Sequence, residues 1–349
     1  MKIAIYPYKS DSNQYIELIK KAIIKLDIDI NSFDDVYKDS VLLNDTEIFI
    51  FNWYESLYIN SFFRQTIRFI RRYFKLIVLK LKRKKIIWVL HNKIPHDSKF
   101  NLYSNLLMKF FSKQSYKIII HSMESREYLK KFISDKLITE KVVYVPHPNY
   151  IGVYKDSDLV ETKKHTLDLL FIGAIKPYKN IDILIKAFND LNLPDMTLKL
   201  AGKVSSNEYK SYIEGLISYN KNIIPEFRFI KDDEINDLIR KSNILVLPYD
   251  IKSSLNSGTI ILAFSNKRTV LSPMIGTLKD FDNNKMFFSY DYDDEITHIE
   301  ELKKVLLEVY NLHKINHNKV YEMGIDCYNM VKFNNSIDKV SESLRKILV

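Results

Sequence analysis

Apolar residues along this chain come in short unbroken runs, separated by longer stretches in which they recur every three or four positions. KIAIY (2–6), EIFIF (47–51), IIWVL (86–90), KIII (117–120) and VVYV (142–145) are of the first kind. Runs that do not alternate suit strands covered on both faces, as in a parallel sheet, and the helix-period stretches between them supply the cover. After VPHPNYIGVYKDSDLVETKKH the rhythm restarts with LDLLFI (167–172), MTLKLA (196–201), FRFI (227–230), ILVLP (244–248) and TVLS (269–272). The pattern predicts an α/β protein with two Rossmann-like, doubly wound parallel sheets. The Pro-, Gly- and charge-bearing stretch 146–165 reads as the linker, with the boundary near 155. A length of 349 residues agrees, because one core rarely keeps growing to that size. Ligands of such sheets bind beyond the carboxyl ends of the strands, in a cleft that two facing domains would share.

Charge changes this picture in one place. Arg64–Lys85 holds ten Lys or Arg and no acid, and without it the chain carries 43 charges of each sign. Arg64, Arg68, Arg71, Arg72 and Lys75 fall on one helical stripe, and Phe63, Ile67, Ile70, Phe74 and Ile77 on another. This basic amphipathic helix predicts attachment to an anionic membrane surface, against the plainer alternative of an apolar side packed on the sheet beneath solvated charges. A nucleic-acid partner is not expected, since no recognition motif accompanies the stripe. The single Cys327 allows no internal disulfide, and no signal peptide or spanning run is present. The expectation is a cytoplasmic protein held peripherally on the inner membrane face.

Three stretches carry candidate chemistry. HNKIPHD (91–97) places His91, Asn92, His96 and Asp97 where a buried strand meets its loop, two of only eight histidines in the chain. His91 would project beyond the strand end, with His96 or Asp97 orienting an imidazole or accepting a proton. A metal site is not expected from this ligand count and spacing. GAIKPYKN (173–180) follows a strand and opens a helix: Gly173 permits close backbone approach, and Lys176 and Lys179 set two cations beside a helix start, which suits a diphosphate. In SLNSGTIILAF (254–264), Ser257, Gly258 and Thr259 stand at a helix start that binds phosphate or is simply capped.

The order and spacing of these stretches, with FNWYE (51–55), VPHPNY (146–150), LKLAGK and FIKDDEINDLIRKSNILVLPY, resemble glycosyltransferase family 4 enzymes of the GT-B fold, and in the first half a bacterial branch that builds surface polysaccharides. The tail KFNNSIDKVSESL is similar to that family's closing helix, which returns to the first domain. The resemblance implies domains 1–154 on the acceptor side and 155–328 on the nucleotide-sugar side, with 329–349 crossing back. It implies a hexosyltransferase that moves sugar from a nucleotide donor to a saccharide, often lipid-linked, mostly with retention of configuration and without an essential metal or cofactor. His91 would be central to catalysis, with Asp97 the candidate base if the reaction inverts. Lys176 and Lys179 would stand for the family's arginine and lysine on the leaving diphosphate, Tyr249 would lie on the donor side, and Asn52, Glu55 and Asn92 would meet the acceptor. Trp53, His147 and Asn149 are further candidates near the site. The chain departs from the family where two glutamates eight positions apart are usual: Ser254 and Leu262 occupy those places. A catalytically inactive homologue that binds saccharide or a partner protein, and a sugar-nucleotide epimerase, therefore stay open.

Overall fold

The computed structural model describes residues 1–10, 14–57, 61–93, 101–155, 165–217, 219–281 and 284–349. Among the described residues twelve strands form: β1 (Lys2–Tyr6), β2 (Asp29–Ser32), β3 (Ile48–Asn52), β4 (Lys85–Leu90), β5 (Lys117–Ile120), β6 (Val142–Tyr144), β7 (Leu167–Ile172), β8 (Met196–Ala201), β9 (Ile223–Glu226), β10 (Ile244–Val246), β11 (Thr269–Pro273) and β12 (Phe288–Tyr290). They make two parallel six-stranded sheets, ordered β2-β1-β3-β4-β5-β6 and β12-β11-β10-β7-β8-β9. The chain divides into two compact units. The first holds Met1–Pro148, Lys252–Asn256 and Asn335–Val349, and the second Asn149–Ile251 and Ser257–Asn334. The unbroken apolar runs are explained by cover on both faces. In β4, Ile86, Trp88 and Leu90 join one core cluster of the first unit, while Ile87 and Val89 join the other.

Edge strands are where the apolar pattern and the structure differ. β2 (DINS) and β12 (FSY) were not predicted: one is polar and the other three residues long, and each pairs on one side only. FRFI (227–230) is not a strand. The edge strand β9 lies just before it and contains Pro225, which an edge tolerates. Phe229 is exposed, and the Arg228 guanidinium is held by Glu226 and by Glu234. The alternation in FRFI therefore reflects an ion-paired loop and not a pleated face.

Helix Ile337–Leu348 belongs to the first unit, where Val340, Leu344, Ile347 and Leu348 share a core cluster with Ile16, Ile19 and Ile23 of helix Tyr15–Ile24. The short segment Lys252–Asn256 also joins this unit. Ser254 makes an antiparallel bridge with Asn92, Lys93 N–H donates to Ser253 O at 3.1 Å, and Leu255 is fully buried in the core.

Helix Phe62–Leu81 differs from its prediction. Its buried side is Gln65, Leu76 and Leu79. Arg72 and Lys75, expected among the membrane-facing cations, turn toward the protein. The Arg72 guanidinium donates to Ser56 O at 2.8 Å, to the Tyr6 hydroxyl at 2.7 Å and to Tyr54 O, and it lies 4.7 Å from the Tyr54 ring. Lys75 pairs with Asp34 at 3.0 Å, with its ammonium over the Phe33 and Tyr37 rings. Both are drawn in by carbonyls, a carboxylate and aromatic faces that membrane lipid would not improve on. The apolar stripe is split: Phe63, Ile70 and Phe74 are exposed, whereas Ile77 packs against the core cluster of the first unit.

Candidate functional site

Strand order reverses once in each sheet, and side chains from the carboxyl ends of the two flanking strands meet there, where an open α/β sheet offers a ligand crevice.

In the first unit the reversal lies between β1 and β3. Asn52, the last residue of β3, donates from Nδ2 to Tyr6 O at the end of β1 (3.3 Å), which turns its Oδ1 toward His91 Nε2 at 3.1 Å. The amide oxygen can only accept, so the ring carries its hydrogen on Nε2 and keeps a lone pair on Nδ1. Trp53 stacks on His91, 4.2 Å between centroids, from a left-handed backbone conformation (φ 51°). That conformation costs a non-glycine residue about 1–2 kcal/mol.

His121 follows β5 as His91 follows β4, and His147 lies three residues beyond the end of β6. His121 Nδ1 donates to Val145 O at 2.7 Å, so its Nε2 accepts from the Tyr15 hydroxyl, also at 2.7 Å. His147 Nδ1 donates to Pro148 O at 2.9 Å. The Tyr15 ring stands 5.1 Å from those of both His91 and His147 and 5.4 Å from that of His121. Burial holds all three imidazoles neutral: His91 well below its usual range, His121 at about 4 and His147 at about 3. The pocket is thus built of uncharged donors and acceptors, and His91 offers an accepting nitrogen without being a strong base.

Asn256 Nδ2 donates to His91 O at 3.1 Å and to Leu90 O at 3.4 Å, so Lys252–Asn256 ties down the end of β4. Ser254 is 6 % exposed and serves as a bridge partner of Asn92.

In the second unit the reversal lies between β7 and β10. Gly173 leaves β7 at φ 134°, with open space where a Cβ would stand. A Cβ on Gly202, after β8, would meet Gly173 O at 1.8 Å, so the two loops approach backbone to backbone. Gly173 N–H donates to Ala201 O, and Ile175 N–H to Lys203 O, both at 3.0 Å. Pro177–Lys179 forms one 3₁₀ turn, and left-handed Asn180 starts helix Ile181–Leu191. The turn brings the Lys179 ammonium 4.1 Å from the centre of the Tyr249 ring, just beyond β10. The Ser257 hydroxyl reaches the Tyr249 hydroxyl at 2.8 Å and caps helix Gly258–Ser265 by accepting from Ile260 N–H. Ser257 N–H donates to Thr277 Oγ1 at 2.8 Å. Lys179, seventy positions before Tyr249, so forms one cluster with Tyr249 and Ser257, with Gly258 and Thr259 partly exposed beside it. Lys176, half-buried, lies 6.0 Å from the Tyr178 ring.

Not every candidate joins these two places. Glu55 is turned into the core of the first unit, 3 % exposed, and accepts from Trp88 Nε1 at 3.2 Å. Burial pushes its carboxyl up to about 7, against the lowering pull of the Trp88 bond and Arg72. It is a core group and not an acceptor contact. Asn52 is fully buried, so it positions His91. Asn149 donates to Val331 O in the second unit. Leu262 is buried in helix Gly258–Ser265. His96 and Asp97 lie outside the described residues. Tyr15 and His121 were missed, although KIIIH ends a buried run in a histidine as IIWVLH does.

Comparison with known proteins agrees with this architecture. Residues 155–252 match the family described as Glycosyl transferases group 1. A GDP-mannose:glycolipid 4-beta-D-mannosyltransferase of Xanthomonas campestris is 28% identical over 124 residues, which is 35% of this chain and 35% of that protein. The chain thus spans about a third of that relative's length. HepE of Anabaena, solved in complex with UDP-glucose, superposes with a TM-score of 0.74 at 12% identity, covering 100% of this chain and 99% of that one. A sucrose-phosphate synthase from Thermosynechococcus elongatus gives 0.70 at 10% identity, covering 99% and 98%. The chain therefore has the GT-B fold of glycosyltransferases, with the group 1 match falling, apart from Lys252, on its second unit.

Proposed function

We propose that this protein transfers a hexose from a nucleoside-diphosphate sugar to a saccharide acceptor carried on a lipid, at the membrane surface where that lipid resides. The observation that carries this is the meeting of Lys179, Tyr249 and Ser257 where the second sheet's strand order reverses, beside the glycine-walled opening after β7. Cations and helix N–H groups there suit a diphosphate, whose charge grows as the sugar leaves. In this reading Lys176 and Lys179 neutralise that charge in place of a metal ion. The first unit would present the acceptor to His91, whose Nδ1 accepts a hydrogen bond and positions a hydroxyl. Because burial keeps the imidazoles of His91, His121 and His147 neutral and weakly basic, we favour retention, in which the departing phosphate takes the proton. Inversion would assign the base to Asp97. The glycolipid specificity of the Xanthomonas relative supports a lipid-linked acceptor.

One observation favours a binding role instead: neither Ser254 nor Leu262 can supply the ribose-binding carboxylate usual in the family. Incubation with UDP- and GDP-sugars, with and without glycolipid acceptors, separates the two. Acceptor-dependent release of nucleoside diphosphate with a glycosylated product is expected. Nucleotide binding, seen as a thermal shift, without any such release would leave the inactive reading standing.

A further inference from the structure

Helix Phe62–Leu81 places its most apolar residues on the side away from the protein. At ~100° per residue, Phe63, Ile70, Phe74 and Leu81 fall within about 20° of one line along the helix, opposite Gln65, Arg72, Leu76 and Leu79. Those four apolar side chains are 73%, 58%, 62% and 78% exposed, while Leu76 and Leu79 are fully buried. A soluble surface helix is normally the reverse. On one flank of the ridge stand Arg64, Arg68, Arg71 and Lys82. On the other, Thr66 Oγ1 meets the Tyr103 hydroxyl at 2.9 Å, and Phe69 stacks on the Tyr103 ring at 4.7 Å. These contacts bring in helix Asn101–Gln114, whose Leu102 and Leu106 are also exposed. The ridge therefore spans two helices, and Arg64–Lys85 contains no acidic residue.

We infer that this ridge inserts into the headgroup region of an anionic bilayer, with Phe63, Ile70, Phe74 and Leu81 entering the acyl boundary and Arg64, Arg68 and Arg71 meeting lipid phosphates. It deepens the membrane-surface reading above by naming the face that docks, and does not depend on the chemistry of transfer. Charge decides the occupant. A second copy of the chain would bring two acid-free, cation-rich faces together, whereas an anionic surface complements the cations and takes up the apolar row. Among the described residues no helix is long and apolar enough to cross a membrane, so this is attachment at the interface and not a span.

The test uses the full chain with vesicles of phosphatidylcholine alone and with phosphatidylglycerol added. Wild-type protein should sediment with the anionic vesicles, more weakly at high salt. The Phe63→Ser/Phe74→Ser variant should lose roughly tenfold or more in partitioning at every salt concentration, since apolar area no longer enters lipid. Both side chains are exposed, so its thermal midpoint and its transfer to a water-soluble acceptor should stay at wild-type values. In Phe74→Trp, an emission blue shift on adding anionic vesicles reports insertion directly. The inference is overturned if wild-type protein ignores anionic vesicles, or if the double Ser variant partitions normally while Arg64→Gln/Arg71→Gln does not, which would mean contact by charge alone. It is equally overturned if the ridge proves to be a dimer face, with the double Ser variant monomeric and the wild type dimeric in lipid-free buffer. Vesicle binding without any transferase activity would leave this inference intact and remove the reading of function.

Discussion

The two strand-order reversals obey one rule and use opposite chemistry. In the first unit, Asn52 joins the ends of β1 and β3 and holds a ring of neutral imidazoles buried against Tyr15 and Trp53. In the second, Lys179 reaches from the loop after β7 to Tyr249 after β10 and sets its ammonium over that ring, in the loop that Gly173 begins beside open space. Parallel strands in either sheet direct their loops to the same end, which makes a crevice there. What fills it differs: the first place holds imidazoles that lose their charge when taken out of water, and the second sets a half-buried lysine beside an aromatic face. In the function proposed above, the first place positions uncharged hydroxyls and the second holds phosphate.

If that division holds, His91→Ala should have the largest effect. Transfer should fall by about 10²- to 10⁴-fold, the range for a residue acting on the reacting group, while nucleotide affinity stays within a factor of about two. An equal loss of nucleotide binding, measured by calorimetry, would erase the distinction between the two places.

The complementary change is Lys176→Ala/Lys179→Ala. Because these charges meet a phosphate that becomes more negative during transfer, turnover should fall by roughly 10- to 1000-fold, more than donor affinity does. Wild-type kcat in this variant would remove the phosphate assignment.

The electrostatic contrast can be probed by acid. Folded His121 and His147 titrate at about 4 and about 3, against 6.5 when unfolded. Below pH 6.5 the unfolded chain therefore binds protons that the folded unit refuses. Stability should fall with pH by about 1.4 kcal/mol per pH unit for each of these histidines, down to about pH 4, where His121 begins to charge in place. Urea midpoints for wild type and His121→Gln across pH 7 to 4.5 check this, and the variant should show the shallower slope. Parallel slopes would mean that the ring is already charged in the folded protein.

The smallest effect is expected from Tyr249→Phe. It keeps the ring under Lys179 and removes only the hydroxyl that Ser257 reaches, so a loss of about 1 kcal/mol, near fivefold in donor affinity, is expected. A loss as large as that of the lysine variant would show that the hydroxyl, and not the ammonium, holds the donor.

How much of this was legible beforehand depends on the kind of signal. The central strands were readable because cover on both faces demands unbroken apolar runs, and IIWVL and LDLLFI could be little else. Of the edges only β6 was readable, from VVYV, while DINS, IIPE and FSY are shaped by pairing on one side only. Gly173 and His91 could be singled out because each follows a buried run directly, and Lys176 and Lys179 because they lie in the loop that Gly173 begins. Tyr15 escaped because it opens a helix remote in sequence from every histidine it touches. Glu55 was misplaced for a related reason: a carboxylate after a strand end gives no sign that Trp88, 33 residues on, will hold it inside the core.

By itself the sequence determined the two parallel sheets, the lysine-bearing loop after β7 and the acid-free stretch Arg64–Lys85. These follow from period, composition and local spacing, which neighbouring residues impose. Tertiary structure alone decided that Lys252–Asn256 belongs to the first unit, that Asn52 orients His91, that Arg72 and Lys75 face the protein, and that Phe63, Ile70, Phe74 and Leu81 face away from it. Helical period gives the angle between two stripes but not which of them meets the protein. That choice was made by Tyr6, Tyr54, Ser56 and Asp34, whose carbonyls, hydroxyl and carboxylate satisfy a guanidinium and an ammonium where apolar side chains would have left them unpaired.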